Sequence, residues 1–318
     1  MSKVNNLRVH RSLLFILVFG LIGAGVAVRI FAATSPNAKV VEAESYAIQT
    51  NTTVIGDTLS SGTSYLQFNV VPNPDGVPIG DLPSWKQIFV DDFTIPAAVG
   101  SWGTNDASRV VYTGDHGGKW VEYPDGWPST YTSGSPGYQP AQVLSVHDDV
   151  LDFFLHTVNG FPSAANPSPL ITGTSQYQTY GRYSARIKSD AVSNYHSAWL
   201  LWPESDANGG CAESDFPEAD LDRAISAFTH NATNCSDFTV QDAFTTSTRF
   251  DSGWHIYTQE WGPGYRKYYI DDSLIGTSTT RIWSQPERWQ LQLEPSSNSG
   301  NTSGHFLVDW VAVYSYNP

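Results

Sequence analysis

Short runs of alternating apolar and polar residues recur from Trp85 to the end of the chain, and turn-forming residues separate them. An alternation with a period of two places successive side chains on opposite faces of a β-strand. The clearest runs are at residues 86–90, 150–156, 183–188, 254–261, 265–270, 289–293 and 306–314. Many short strands without a convincing helix favour an all-β fold, an antiparallel β-sandwich of jelly-roll type with a concave groove.

The composition agrees with this architecture and limits the partners. Only 15% of the residues are charged, whereas 13% are aromatic, and a single Met leaves little material for long amphipathic helices. The formal net charge is -14, so the protein should repel nucleic acid and anionic lipid surfaces. We therefore expect no nucleic-acid partner. A strongly anionic substrate would also be repelled unless the groove supplied its own cations.

The first 33 residues have the features of an export signal. Lys3, Arg8 and Arg11 precede an uncharged apolar run at residues 12–28. A basic segment followed by an apolar segment is typical of a secretory signal peptide, and about 17 apolar residues also approach the length of a membrane span. We expect an extracellular protein, either secreted after cleavage or anchored through residues 12–28 to the outer face of the cytoplasmic membrane.

The two cysteines suit an exported chain. Cys211 and Cys235 are not part of a C-x-x-C motif and have no histidine at zinc-ligand spacing, which argues against a metal site. Cysteines outside the cell tend to pair. We therefore predict a disulfide between them, with two buried free thiols as the alternative.

Residues 34–84 differ from the chain that follows them. They contain no Trp, and a cluster of prolines lies between residues 72 and 83. Residues 40–45 and 60–68 resemble the opening strands of β-sandwich carbohydrate-binding modules such as families 6 and 35. This resemblance spans about thirty residues, which is too few to bury a core alone. We interpret residues 34–84 as a stem and linker with a remnant of such a module.

An acidic pattern at residues 213–218 carries the strongest chemical signal. Glu213 and Asp215 point to one face of a strand, and a β-bulge at Pro217 would bring Glu218 onto the same face. The two glutamate carboxyls would then lie about 5 Å apart, the spacing of retaining glycosidases. Three close carboxylates resist ionising together, so one keeps a proton near neutral pH. The alternative is a solvated acidic edge strand.

Several matches in order along the chain resemble one enzyme family. The acidic segment resembles the E-x-D-x-x-E signature in the bulged, laminarinase-like branch of glycoside hydrolase family 16. Residues 180–188, 197–204, 254–261 and 308–314 resemble that family's Y-G-R-F-E-A-R-I-K, A-F-W-L-L-P-E, F-H-x-Y-x-x-E-W and V-D-W-V-R-V-Y segments. The resemblance implies that residues 85–318 form a concanavalin-like jelly roll that hydrolyses β-linked polysaccharide internally, with β-1,3-glucan as the expected substrate.

The resemblance also implies roles for single residues. Glu213 falls on the nucleophile of a retaining double displacement, Asp215 on the assisting acid and Glu218 on the acid/base. His230 falls near the family histidine on the neighbouring strand, with a surface-loop histidine as the alternative. Ser214 stands where the family has an apolar residue.

Candidate substrate-binding residues follow from the same comparison. Trp199 and Tyr195 fall where the family has aromatic platforms for sugar rings, although burial in the core is the commoner fate of such side chains. Gln292 lies in a stretch that replaces the family's N-L-x-x-G-G and touches the groove floor. We assign Trp202 mainly to the core.

No cofactor is expected for the reaction. Asp309 lies where some family members bind a structural calcium, but one carboxylate is weak evidence for a site that needs six or more oxygen ligands. Two other functions stay open: a transglycosylase that remodels cell-surface glycans with the same residues, and a non-catalytic, lectin-like glycan-binding protein. A lectin does not need three aligned acids, so the sequence favours an enzyme, expected to be a monomer, with a polysaccharide substrate.

Overall fold

The computed structural model describes residues 76–129, 136–296 and 302–318, together with two strands at residues 52–56 and 64–68. The chain divides into two compact units, Met1–Asn69 and Val70–Pro318. In the first unit, strands β1 (Thr52–Gly56) and β2 (Ser64–Phe68) form an antiparallel pair. The predicted export signal at residues 1–33 lies outside the described residues. Within the described part of the chain, no helix has the length and apolar character needed to cross a membrane.

The second unit consists almost entirely of strands, which confirms the predicted all-β class. In chain order they are β3 (Trp85–Asp91), β4 (Tyr112–Thr113), β5 (Lys119–Glu122), β6 (Leu144–His147), β7 (Val150–Leu155), β8 (Thr157–Val158), β9 (Phe161–Pro162), β10 (Pro167–Pro169), β11 (Tyr177–Gln178), β12 (Gly181–Ser189), β13 (Tyr195–Pro203), β14 (Ser214–Asp220), β15 (Ala224–His230), β16 (Gln241–Arg249), β17 (His255–Gly262), β18 (Tyr265–Ile270), β19 (Ser273–Ser278), β20 (Glu287–Pro295) and β21 (Gly304–Tyr316). The helices are short: α1 (Pro140–Val143), α2 (Gly209–Ala212) and 3-10 turns at Asp206–Asn208 and Phe250–Ser252.

Two large antiparallel sheets form the layers of the sandwich. One sheet has six strands in the order β11-β20-β13-β14-β15-β16. The other has eight strands, in the order β19-β18-β17-β12-β21-β7-β6, with β3 paired to β21. Because β21 is long, it pairs with β12 along one edge and with β7 and β3 along the other. Smaller sheets join β10, β5 and β4, and β8 with β9.

The core between the sheets is rich in aromatic rings. Trp199 and Trp289 of the six-stranded sheet meet edge to face at 5.6 Å, and Trp289 contacts Tyr183 of the other sheet at 5.5 Å. Phe306 of β21 packs against Trp199 at 5.9 Å. Burying one aromatic side chain removes at least about 150 Å² from water, which stabilises the fold by roughly 4 kcal/mol.

The tight turn between β18 and β19 follows directly from the sequence. Asp271 and Asp272 have φ values of 48° and 62°. Positive φ at both central residues suits a two-residue hairpin turn whose twist matches that of the flanking strands, and Asp tolerates this conformation better than most residues. These two residues therefore favour the hairpin that joins β18 to β19.

The last residues of the predicted linker pack on the second unit. The backbone N–H of Gly80 donates to Gln87 Oε1, and the backbone N–H of Gln87 donates to Asp81 Oδ1, both at 2.8 Å. Leu82 and Trp85 exchange two backbone hydrogen bonds. Residues 76–84 therefore belong structurally with the sandwich that follows them.

Candidate active site

A groove of about 670 Å³ lies on the face of the six-stranded sheet that points away from the core. Alternate residues of neighbouring strands form its floor, as the period of two requires. From β20, β13, β14 and β15 in turn, these floor residues are Gln290 and Gln292, Ala198, Leu200 and Trp202, Asp215 and Glu218, and Phe228 and His230.

A β-bulge in β14 aligns two of the predicted acids. Between Asp215 and Glu218 the strand has two residues, whereas β13 has only Trp199 and β15 has only Ala227 at the same level. The extra residue resets the alternation, so both carboxyl groups face the groove. The bulge that Pro217 predicted is therefore present, and the peptide bond before Pro217 is cis.

Glu213 joins these acids from the end of α2. The backbone N–H of His230 donates to the carbonyl oxygen of Glu213 at 2.8 Å, which fixes Glu213 against β15. His230 Nε2 lies 3.4 Å from Asp215 Oδ2 and 3.9 Å from Glu213 Oε2. The structure therefore brings Glu213, Asp215, Glu218 and His230 into one groove.

The disulfide between Cys211 and Cys235 is present, as predicted. Cys211 lies in α2, two residues before Glu213, and the backbone N–H of Gly210 donates to the carbonyl oxygen of Cys235 at 2.9 Å. Closing a loop of this size stabilises a fold by about 3 kcal/mol on a loop-entropy estimate. The disulfide thus holds the segment after β15 against the residues that position Glu213.

Burial and mutual repulsion raise the pKa of two of the acids. Burial raises the pKa of Glu213 to about 9, and the charge of Asp215 adds to this effect. Burial, followed by the charge of Glu218, raises the pKa of Asp215 well above its usual value. The Asp215 side chain is 4% exposed and that of Glu213 is 16% exposed. Because two neighbouring buried carboxyls resist ionising together, the pair of Glu213 and Asp215 keeps at least one proton near neutral pH.

The predicted aromatic platforms are wrong. Trp199 and Tyr195 are 0% and 1% exposed and lie in the core, and the Tyr195 hydroxyl donates to the carbonyl oxygen of His156 at 3.0 Å. Trp202, which we assigned to the core, lines the groove and donates from Nε1 to Asp206 Oδ1 at 2.8 Å. The alternation along β13 explains these positions. Odd-numbered residues point into the core, and even-numbered residues face the groove.

A second aromatic group lines the groove beside β20. Tyr123 stacks on the exposed ring of Trp127, with ring centroids 5.4 Å apart. The Tyr123 hydroxyl accepts hydrogen bonds from Arg288 Nη2 at 2.9 Å and from Gln290 Nε2 at 2.8 Å. Gln292 also lines the groove. Polar floor groups beside exposed rings suit a neutral polyhydroxylated ligand, which offers hydroxyl groups and apolar C–H faces.

His196, for which the sequence predicts no role, contacts the groove residue Glu218. Its Nε2 lies 3.2 Å from Glu218 Oε1, and its Nδ1 lies 2.9 Å from Asp220 Oδ1. Position 196 is even-numbered, like Ala198 and Trp202. The alternation along β13 therefore predicts that His196 lies on the same face of the sheet as these groove residues.

Asp309, the candidate ligand for a structural calcium, is paired with an arginine. Its Oδ2 accepts a hydrogen bond from Arg186 Nη1 at 2.6 Å, so a cation at that oxygen would compete with the guanidinium. Calcium also needs six to eight oxygen ligands. Among the described residues, two groups bring three metal-ligating side chains together, and Asp309 belongs to neither: Asp92, Asp115 and His116, and Glu213, Asp215 and His230.

A known family matches most of the second unit in sequence. Residues 143–312 match the sequence model of the family described as glycosyl hydrolases family 16. A comparison with curated proteins found no match.

Several solved structures share the fold. The laminarinase from Rhodothermus marinus is 18% identical, with a TM-score of 0.55 over 74% of this chain and 100% of that one. The endo-β-1,3-glucanase from Pyrococcus furiosus is 17% identical, with a TM-score of 0.52 over 76% and 98%. SCLam, a non-specific endo-β-1,3(4)-glucanase, is 15% identical, with a TM-score of 0.54 over 76% and 96%.

Proposed function

The chain belongs to glycosyl hydrolases family 16 and is a glycosidase, and from this premise we propose that it cleaves β-1,3-glucan internally with retention of anomeric configuration. The observation that carries the proposal is the bulge in β14, which turns Asp215 and Glu218 to the groove beside Glu213. The similar folds named as laminarinase and endo-β-1,3-glucanase support the choice of polymer.

The proposed reaction has two steps, and each moves one proton. In the first step, ionised Glu213 attacks the anomeric carbon while Glu218 gives its proton to the departing glycosidic oxygen. In the second step, Glu218 takes a proton from water, the water oxygen bonds to the anomeric carbon, and the ester bond to Glu213 breaks. Protonated Asp215 donates a hydrogen bond to Glu213 and stabilises the carboxylate each time it forms.

The test is product analysis with the full chain on laminarin, mixed-linkage β-glucan and a neutral galactan. We expect a series of short oligosaccharides from laminarin, with the β-anomer appearing first in the proton NMR spectrum. An initial α-anomer would exclude retention, and cleavage of galactan alone would exclude β-1,3-glucan. Products longer than the substrate would favour a transglycosylase.

We also propose that the protein acts outside the cell. The basic and apolar segments before residue 33 support export, and the disulfide between Cys211 and Cys235 supports an oxidising compartment. Fractionation of expressing cells tests this proposal. Recovery of the protein in the cytoplasm with reduced cysteines would contradict it.

Substitution of two tryptophans of β13 should change different properties. Trp202 should affect substrate binding, and Trp199 should affect stability. Trp202→Ala should raise the KM for laminarin about tenfold, because a sugar ring loses its stacking surface, and should leave the free energy of unfolding nearly unchanged. Trp199→Ala should lower the free energy of unfolding by about 3–5 kcal/mol, because it opens a cavity in the core. Kinetics and urea unfolding of both variants check this. A change in KM with unchanged stability in Trp199→Ala would contradict the assignment to the core.

Asp215→Asn should change the pH dependence of both activity and stability. Activity needs ionised Glu213, whose carboxylate protonated Asp215 stabilises with a hydrogen bond. An amide donates more weakly, so the pKa of Glu213 should rise and the acidic limb of kcat/KM should move to higher pH. The maximal rate should fall about 10- to 100-fold, because an amide is a weaker and fixed hydrogen-bond donor.

The stability effect follows from the raised pKa of Asp215. The folded state binds the Asp215 proton more tightly than the unfolded state, so this residue lowers the free energy of unfolding as pH rises above the unfolded pKa. Asp215→Asn removes that loss, and its melting temperature should exceed that of the wild type at neutral pH but match it at about pH 3. Identical pH profiles for the two proteins would contradict the prediction.

A further inference from the structure

His196 connects the predicted acid/base to a second carboxylate. Its side chain is 14% exposed and lies between Glu218 at 3.2 Å and Asp220 at 2.9 Å, with a different ring nitrogen facing each carboxylate. The pairing of β13 with β14 explains this position, because His196 lies directly opposite Asp220, and Glu218 is two residues away on the same face.

Acidic residues lie beside His196 on both neighbouring strands. Glu218 and Asp220 face it from β14, and Glu294 lies opposite it in β20. Glu294 is buried and accepts a hydrogen bond from the Tyr138 hydroxyl. Burial alone would lower the pKa of His196, but the hydrogen bonds to Glu218 and Asp220 outweigh it and raise that pKa above its usual value. The ring therefore tends to hold both N–H protons, one for each carboxylate.

This arrangement has a consequence for proton transfer. With an N–H at Nε2, His196 donates to Oε1 of Glu218 and leaves Oε2 to carry the proton that moves to and from the sugar oxygen. When Glu218 gives up that proton, the new carboxylate already has a charge-assisted donor at Oε1. Asp220 holds the other side of the ring, so the imidazole does not need to reorient during the reaction.

We propose that His196 is a positioning residue for Glu218, held by Asp220, which selects the carboxyl oxygen that transfers the proton and stabilises the carboxylate left behind. This inference rests on the proposed function. The contribution of His196 to kcat/KM should be large for a leaving group that needs a proton. It should be small for one that departs as a stable anion, because such a group does not use Glu218 in the first step.

The experiment compares two aryl glycosides of one β-1,3-linked glucose oligomer. The methylumbelliferyl glycoside has a leaving group that profits from protonation, whereas the dinitrophenyl glycoside does not. The parameter is kcat/KM, which reports the first step even when breakdown of the glycosyl-enzyme limits kcat. The variants are His196→Ala, His196→Gln and Asp220→Asn, each measured alongside the wild type.

A matched control comes from the other sheet. His255 Nδ1 pairs with Asp271 Oδ2 at 2.6 Å, and His255 lies in β17 of the eight-stranded sheet. His255→Gln therefore removes a comparable histidine–aspartate pair, and the ratio of the two kcat/KM values should stay at the wild-type value.

We expect His196→Ala to lower kcat/KM about 100-fold for the methylumbelliferyl glycoside and less than threefold for the dinitrophenyl glycoside. His196→Gln, which keeps one N–H donor, and Asp220→Asn should show smaller losses of the same kind. If His196→Ala fails to fold, these two variants decide the question. Equal losses on both glycosides, or none on either, would overturn the inference while leaving the function intact. A wild-type protein inactive on both glycosides and on laminarin would instead refute the proposed function, and the inference with it.

Discussion

Glu213→Ala is expected to lower kcat/KM by about 10⁴-fold or more on every β-glycoside, including those with activated leaving groups. Glu213 is the proposed nucleophile, and without it no covalent intermediate can form. Asp215 cannot replace it, because Asp215 lies further along the strand and its side chain is almost completely buried. Added azide should restore turnover with an activated substrate and give the α-glycosyl azide, because azide then attacks from the face that Glu213 occupied.

We expect the loss of activity in Glu213→Ala to occur without unfolding. The raised pKa of Glu213 means that its ionisation lowers the free energy of unfolding as pH rises above the unfolded pKa of a glutamate. Removing the carboxyl should therefore leave the melting temperature at neutral pH unchanged or higher.

Trapping the covalent intermediate gives a direct check on the same prediction. With a fluorinated glycoside, mass spectrometry of wild-type peptides should find the sugar on Glu213 and none in the Glu213→Ala variant. A sugar ester on Glu218 would reverse the two roles. Activity of the variant within tenfold of the wild type would exclude Glu213 as the nucleophile.

Most of the fold could be predicted because its determinants are local. Alternation with a period of two, interrupted by turn residues, marks strands such as β7, β12 and β17 without any tertiary information. The hairpin at Asp271 follows from the tolerance of Asp for positive φ. Which strands become neighbours is a long-range property, and the order of the two sheets is visible only in the structure.

The acids of the groove could also be predicted from local sequence, whereas the residues that contact them could not. Pro217 marks the bulge locally, and the bulge places the carboxyl groups. The contact of His196 with Asp220 depends on the register between two strands, which the sequence of either strand leaves open. The predicted aromatic platforms are wrong because the alternation along β13 sends Trp199 and Tyr195 into the core.

Ser214 shows why one departure from the family pattern is tolerated. Its side chain points into the core, where an isolated hydroxyl would cost free energy. Its Oγ lies 2.6 Å from the Tyr268 hydroxyl and accepts a hydrogen bond from Gln259 Nε2 at 2.6 Å. Partners on β17 and β18 thus make a polar residue acceptable beneath β14, and they lie far away in sequence.

Glu218→Ala should produce the second large loss, and a selective one. Its kcat/KM for laminarin should fall about 10²- to 10⁴-fold, because the departing sugar oxygen then leaves without a proton. The dinitrophenyl glycoside should still react with Glu213 at nearly the wild-type kcat/KM. Glu260→Gln is the control, because Glu260 pairs with Arg182 on the other sheet and should leave both values unchanged.

The second step should then become the slow one in Glu218→Ala, because no base removes the proton from water. A burst of dinitrophenol followed by slow turnover is expected, with the glycosyl-enzyme accumulating on Glu213. Azide needs no base, so it should speed this breakdown and yield the β-glycosyl azide, the opposite anomer to that from Glu213→Ala. Because the two variants differ in the anomer they produce, general damage to the groove cannot imitate the result. An α-azide from Glu218→Ala, or an equal loss on both substrates, would show that Glu218 is not the acid/base.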